Sequence, residues 1–90
     1  MPRLSEFFGI VISMYFGDIG PHSVPHFHAR YGEFRASVSI PDAEILAGHL
    51  PRRQRRLVQA WAELHTEELE RAWARAVQGE HPDPIAPLTR

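Results

Sequence analysis

The chain has 90 residues, of which 43% are hydrophobic and 23% are charged, and its formal net charge is −1. This length allows one small domain, and the near-neutral charge argues neither for nor against nucleic acid as a ligand. The absence of cysteine excludes disulfides, thiolate catalysis and cysteine-bound zinc, and it is compatible with the cytoplasm. No stretch has the pattern of a signal peptide or the roughly 20 apolar residues of a membrane span, so a cytoplasmic protein without membrane contact is expected.

The first half of the chain has the composition of β-strands. After a short lead-in of residues 1–6, the aromatic and β-branched run 8–16 predicts a first strand, apolar on both faces and therefore central. Two glycines and two prolines predict a loop over residues 17–25. Further along, residues 43–48 predict a short last strand.

Residues 26–31 and 33–40 predict a hairpin that turns at Tyr31-Gly32. Side chains alternate between two faces of a strand, and the alternation stays in phase across this turn. One predicted face is apolar and contains Phe27, Ala29, Tyr31, Phe34, Ala36, Val38 and Ile40. The other is polar and contains His26, His28, Arg30 and Arg35.

The second half of the chain has helical periodicity, with apolar residues at steps of three and four. A five-residue step in this pattern predicts two helices, at 51–64 and 67–78, rather than one rod. Pro51 suits the first position of the first helix, and Thr66 is a candidate N-cap for the second. Gly79 is the expected C-terminal stop.

These elements predict an α+β fold: an antiparallel sheet of three to four strands followed by two C-terminal helices packed on one face. Trp61 and Trp73 are the expected large core side chains of the helices. Residues 1–80 form the predicted single domain, and the proline-rich residues 81–90 form a C-terminal tail. Stability is expected to be modest at this size, which is compatible with a homodimer or a partner protein.

The polar face of the hairpin has the residue types for metal-free acid–base chemistry on RNA. Histidine titrates near neutrality, so His26 and His28 are candidates for the catalytic base and acid. Arg30 and Arg35 could hold the scissile phosphate, and Tyr31 (or Tyr15) could stack on a base or donate a proton. This chemistry needs no cofactor.

The same histidines also fit a metal site. Asp18 and His22 lie on the loop before the strand, and together with His26 and His28 they could converge on a divalent transition metal such as zinc. A simpler interpretation is a polar strand face whose histidines are hydrogen-bonded to neighbours or water. The sequence leaves these alternatives open.

A third feature is a basic segment at the start of the first helix. Arg52, Arg53 and Arg56 either form an ordinary solvated face or contact phosphate. Positive charge at a helix N-terminus opposes the helix dipole, so an external anion or acidic partner would be favourable here.

The stretches PHFHARYGEF and LPRRQRRLVQAWAELHTEELERAW, with the N-terminal MPRLSEFFGIVISMYFGD, resemble a bacterial family known only as a domain of unknown function, DUF4160. The resemblance extends from Pro2 to about Pro87. It implies a small bacterial protein that is often encoded beside a second small protein, an arrangement from which a toxin–antitoxin association has been suggested.

The family's histidine motif corresponds here to Asp18, Pro25, His26, Phe27 and His28. The chain departs from the family in the preceding loop, which is longer and has Ile19 where the family has a histidine after the aspartate. His22 would stand in for that histidine. The resemblance implies a component of a two-gene module, and the residue chemistry of the hairpin predicts that it acts on RNA. The alternative is a module without catalysis that binds a metal through the histidine cluster or a partner protein through the helices.

Overall fold

The computed structural model describes residues 2–15 and 24–89. In this part of the chain, five strands precede two helices. In chain order they are β1 (Arg3–Phe7), β2 (Ile10–Ser13), β3 (His26–Tyr31), β4 (Phe34–Ser39), β5 (Ile45–Gly48), α1 (Arg52–Leu64) and α2 (Thr66–Val77).

The strands form one antiparallel sheet in the order β1-β2-β3-β4-β5. The predicted α+β class, with two C-terminal helices, is confirmed, and the sheet has five strands rather than three or four. The central hairpin has the predicted phase, since Phe27 lies opposite Val38 and His28 opposite Ser37. Its two-residue turn is Gly32-Glu33, one position later than expected.

The N-terminal hairpin is the main correction to the predicted strands. Residues 1–6 are not a lead-in, because β1 begins at Arg3, and the run 8–16 is not one strand. Phe8 and Gly9 form a two-residue turn with positive φ angles of 49° and 79°. Both angles are typical of a hairpin turn whose twist matches that of the flanking strands. The predicted central position holds for β2, which lies between β1 and β3.

The helices have nearly the predicted bounds and break at His65. Thr66 is not the N-cap of α2, because His65 occupies that position. The Thr66 hydroxyl instead donates to the carbonyl oxygens of Ala62 and Glu63, at 3.1 and 3.2 Å. The stop at Gly79 is confirmed: its N–H bonds the Ala76 carbonyl and the next N–H bonds that of Arg75, both at 3.0 Å. This is the Schellman pattern of a helix end.

The helices cover one face of the sheet and enclose the core. Trp61 is fully buried, and its ring lies 5.4 Å from that of Phe7 and 5.7 Å from that of Phe27. The C-terminal segment closes this core, since Ile85 is buried and its N–H donates to the Leu4 carbonyl at 2.8 Å. In the part of the chain that the structure describes, neither α1 nor α2 is long and apolar enough to cross a membrane.

Candidate functional site

The sheet face turned away from the helices contains an open groove, here called the open face. Strand alternation places the side chains of β2, β3 and β4 that do not enter the core on this surface. The groove has a volume of about 510 Å³. Its lining comprises Arg3, Val11, Ser13, Tyr15, His28, Ala29, Arg30, Arg35, Ala36, Ser37, Ala47 and Gly48.

Arg30 and Arg35 lie directly opposite each other on the open face, as partners in the β3–β4 register. Both are exposed, and within the described ranges no carboxylate forms an ion pair with either of them. Like charges directly across two strands are unfavourable. Arg3, on the same surface, is compensated by Glu6 at 2.7 Å. One phosphate placed between two guanidinium groups can accept hydrogen bonds from both, so an anion is the kind of ligand that this arrangement would suit.

His26 and His28 are adjacent on β3, with ring centroids 5.0 Å apart and planes nearly perpendicular. Tyr15 contacts His28 edge-on at 4.9 Å, and its own side chain is 55% exposed. On the other side His26 contacts Trp73 of α2 at 5.3 Å. The histidines thus lie at the end of the sheet where the open face meets α2.

The two imidazoles have different surroundings. Nδ1 of His26 lies 2.7 Å from the Val24 carbonyl oxygen, which can only accept a hydrogen bond, so this nitrogen carries the proton. Nδ1 of His28 lies 3.5 Å from the Ser37 hydroxyl, while its Nε2 is buried without a hydrogen-bond partner in the part of the chain that the structure describes. Burial lowers the pKa of His28 below the ordinary value of 6.5, and the neighbouring His26 lowers it further.

This depressed pKa makes a contribution to stability that depends on pH. Below pH 6.5 the unfolded chain binds a proton at His28 more readily than the folded chain does. The free energy of unfolding therefore has its full value, as far as His28 is concerned, above pH 6.5. It decreases as the pH falls from 6.5 to the lower pKa that His28 has in the folded chain. We expect the urea midpoint of wild type to fall more steeply between pH 7.5 and pH 5 than that of His28→Gln. Identical slopes for the two proteins would contradict this assignment.

The structure separates several residues that the sequence grouped. Tyr31 lies at the turn end of β3, on the helix-facing side, and packs against the core rather than beside His26 or His28. Arg52, Arg53 and Arg56 line a different groove on α1, which shares no residue with the open face.

The predicted metal site cannot be located in the described residues. Asp18 and His22 both lie outside them. Within residues 2–15 and 24–89, no group of three or more histidine or acidic side chains is placed to hold a metal ion. The metal site therefore remains a proposal that depends on residues 18 and 22.

Three residues around the site were not predicted as site residues from the sequence: Arg3, Ser13 and Trp73, of which Trp73 was predicted only as a core side chain. Ser13 lies opposite both Arg3 and His28 in the strand register. Gly9 is the one turn-forming residue in the run that could have indicated the pairing of Arg3 with Ser13, because a turn there pairs β1 with β2. The contact of Trp73 with His26 has no comparable signal, since it depends on where α2 lies.

The sequence profile of a protein family matches residues 9–74, which is more than half of the chain. That family is described as "Domain of unknown function (DUF4160)". The chain belongs to this family. The match includes β2 to β5, α1 and most of α2, and so contains the histidines and the opposed arginines of the open face. No curated protein matches the chain, and no solved structure matches it.

Proposed function

We propose that this DUF4160 chain binds single-stranded RNA on the open face, as a cytoplasmic component of a two-gene toxin–antitoxin-like module. The observation that carries the RNA part is the pair of arginines, Arg30 and Arg35, directly opposed across β3 and β4 and without an ion pair to any carboxylate of the described residues. An anion between them would replace repulsion with two charge-assisted contacts.

A second feature favours a nucleic acid over a small anion. Tyr15 is more than half exposed beside the same groove, and nucleic-acid bases stack on such aromatic rings. Sheet surfaces that combine aromatic rings with arginines are a recurring platform for single-stranded RNA. An open groove of about 510 Å³ also accommodates several atoms beyond one phosphate.

The test is a fluorescence anisotropy titration of a short labelled RNA with wild type and with Arg30→Gln/Arg35→Gln. We expect the double variant to bind at least about tenfold more weakly. The pair is expected to hold one phosphate, and each lost phosphate contact reduces the slope of log affinity against log salt by about 0.7 for a single strand, so the double variant should have a slope about 0.7 less steep.

A matched control removes the same charge elsewhere. Arg55 and Arg71 are exposed on the two helices and lie outside the open-face groove. Arg55→Gln/Arg71→Gln should retain wild-type affinity to within about twofold. Absence of RNA binding by wild type would overturn the proposal, and so would an equal loss in the two double variants.

The adjacent His26 and His28, 5.0 Å apart at one end of the open face, favour RNA cleavage as a second candidate function. Such cleavage needs a base to remove a proton and an acid to supply one. The lowered pKa of His28 favours its neutral, proton-accepting form. The RNA products of the same titration samples provide the readout, and His26→Ala or His28→Ala should stop cleavage without weakening binding. If wild type leaves the RNA intact, with or without added metal, this part fails while the binding proposal stands.

The partner in the proposed module is the second small protein that the family resemblance implies. Expression of wild type in bacteria should slow growth, and Arg30→Gln/Arg35→Gln should relieve this effect, if the RNA-binding surface is the harmful one. Normal growth with wild type at full expression would remove the toxin role and leave RNA binding to the titration.

A further inference from the structure

The solvent-facing side of α1 has charges of opposite sign at its two ends. Arg53 and Arg56 are exposed near the N-terminus, and Glu63 is exposed in the last turn. Beside them runs a short apolar stripe of Leu57, Ala60 and Leu64, spaced by three and four residues so that its members share one side of the helix. Leu57 is half-buried and packs partly against the core, whereas Ala60 and Leu64 are exposed. Leu64 is 70% exposed, the largest exposed fraction among the large hydrophobic side chains of the described residues.

These charges are unfavourable within one chain. The first turn of α1 contains no acidic residue and the last turn no basic one, which is the reverse of what the helix dipole favours. Across the described residues, neither Arg53, Arg56 nor Glu63 forms an ion pair. Pro51 at the N-cap provides no side-chain cap. An acidic group from another molecule at the N-terminus would relieve these features, and so would a basic group at the C-terminus.

A second copy of α1 in antiparallel orientation supplies both groups. We propose that α1 is the interface of a two-fold symmetric homodimer, in which Arg56 of each copy meets Glu63 of the other. This interface goes beyond the proposed RNA function and does not rest on it. In a two-fold contact each pairing occurs twice, so one complementary pair of positions gives two ion pairs.

The helix geometry allows this pairing. Arg56 and Glu63 are seven residues apart and therefore lie on the same edge of the stripe, two turns from each other. In an antiparallel pair centred between Gln59 and Ala60, these two positions face one another across the interface. The small side chain of Ala60 permits close approach of the two helices. At 1.5 Å per residue the 13-residue helix is about 20 Å long, so the interface is small and a micromolar dissociation constant is expected.

The exposed Leu64 also has a complementary surface. In the same alignment, Leu64 of one copy lies level with Arg55 of the other, two residues from both Arg53 and Leu57. These two residues border a groove of about 310 Å³ that is also lined by Phe8, Leu88 and Thr89. Phe8, Leu57 and Leu88 make the lining of this groove mostly apolar, and a leucine entering it would be removed from water.

The test is sedimentation equilibrium of wild type between about 1 and 500 µM, a range that includes the dissociation constants of small interfaces. We expect wild type to dimerise in this range. Arg56→Glu alone and Glu63→Arg alone place like charges at both pairings, so each should dissociate at least about tenfold more readily. Leu64→Ala should weaken the dimer while leaving the fold unchanged, because this side chain is mostly exposed.

Charge exchange distinguishes this interface from a general effect of charge. An equimolar mixture of Arg56→Glu and Glu63→Arg chains has opposite charges at both pairings and should form a heterodimer of wild-type affinity. The chain with both substitutions should again form a homodimer. A wild type that stays monomeric at the highest concentration would overturn the proposal. So would a mixture of the two single variants that fails to associate, and the charged face of α1 would then have to bind a different protein.

Discussion

Trp61→Ala is expected to lower the melting temperature and to remove much of the free energy of unfolding at 25 °C. Trp61 is fully buried, packs on Phe7, Phe27 and His65, and donates from its indole nitrogen to the Ala86 carbonyl at 2.8 Å. Truncating a buried tryptophan costs about 3–5 kcal/mol. The total free energy of unfolding of a small domain is about 5–15 kcal/mol. In a domain of this size, each kcal/mol lost lowers the melting temperature by about 4–8 °C.

We therefore expect the melting temperature of Trp61→Ala to fall by at least about 12 °C, measured by circular dichroism. Trp61→Phe separates the two contributions of this side chain. Both variants leave the Ala86 carbonyl without its donor, but Trp61→Phe retains an aromatic ring in the core. Its loss of unfolding free energy should therefore be smaller than that of Trp61→Ala. A Trp61→Ala protein within about 1 kcal/mol of wild type would contradict the position of Trp61 at the centre of the core.

Gly48→Ala is expected to detach the edge strand β5. The φ angle of Gly48 is +82°, and a Cβ there would lie 2.1 Å from the backbone oxygen of Arg35 and 3.0 Å from the Cα of Ala36. Backbone atoms of β4 cannot move aside as a flexible side chain can. The variant should lose at least about 3 kcal/mol in urea unfolding, because a steric clash adds to the roughly 1–2 kcal/mol of left-handed strain.

Gly32→Ala is the matched control for this effect. Its φ of +58° carries the same kind of backbone strain, but no heavy atom lies within 4 Å of the added Cβ. Its cost should stay near 1 kcal/mol. Hydrogen exchange gives a local readout, since the His49 N–H that bonds the Arg35 carbonyl at 2.8 Å should exchange faster only in Gly48→Ala. Equal costs for the two variants would contradict the close approach of β4 and β5.

Alternation of polar and apolar residues predicts the central hairpin well, because its two faces have different chemistry. For this reason the sequence alone was enough to place His28, Arg30 and Arg35 on one face. The first hairpin was missed because Phe8 adopts positive φ, which is rare for a bulky residue, and the aromatic run continues through the turn.

The candidate site is less predictable because it combines elements distant in sequence. Its arginine pair follows from the phase of one hairpin, whereas the neighbours of the histidines do not. Trp73 reaches His26 only through the packing of α2, and Tyr15 reaches His28 through the pairing of β2 with β3. The α1 arginines were a candidate phosphate contact in the sequence, and the structure places them in a groove separate from the open face.

The most direct test of the proposed function is a map of amide chemical shifts on addition of a short single-stranded RNA. Binding on the open face predicts the largest shifts at Ser13, Arg30, Arg35 and Ser37, all on β2, β3 and β4. The amides of Arg52, Arg53 and Arg56 should shift little, because their groove is separate. Shifts confined to α1, or none at RNA concentrations that saturate the anisotropy signal, would contradict the assignment of the open face as the RNA-binding surface.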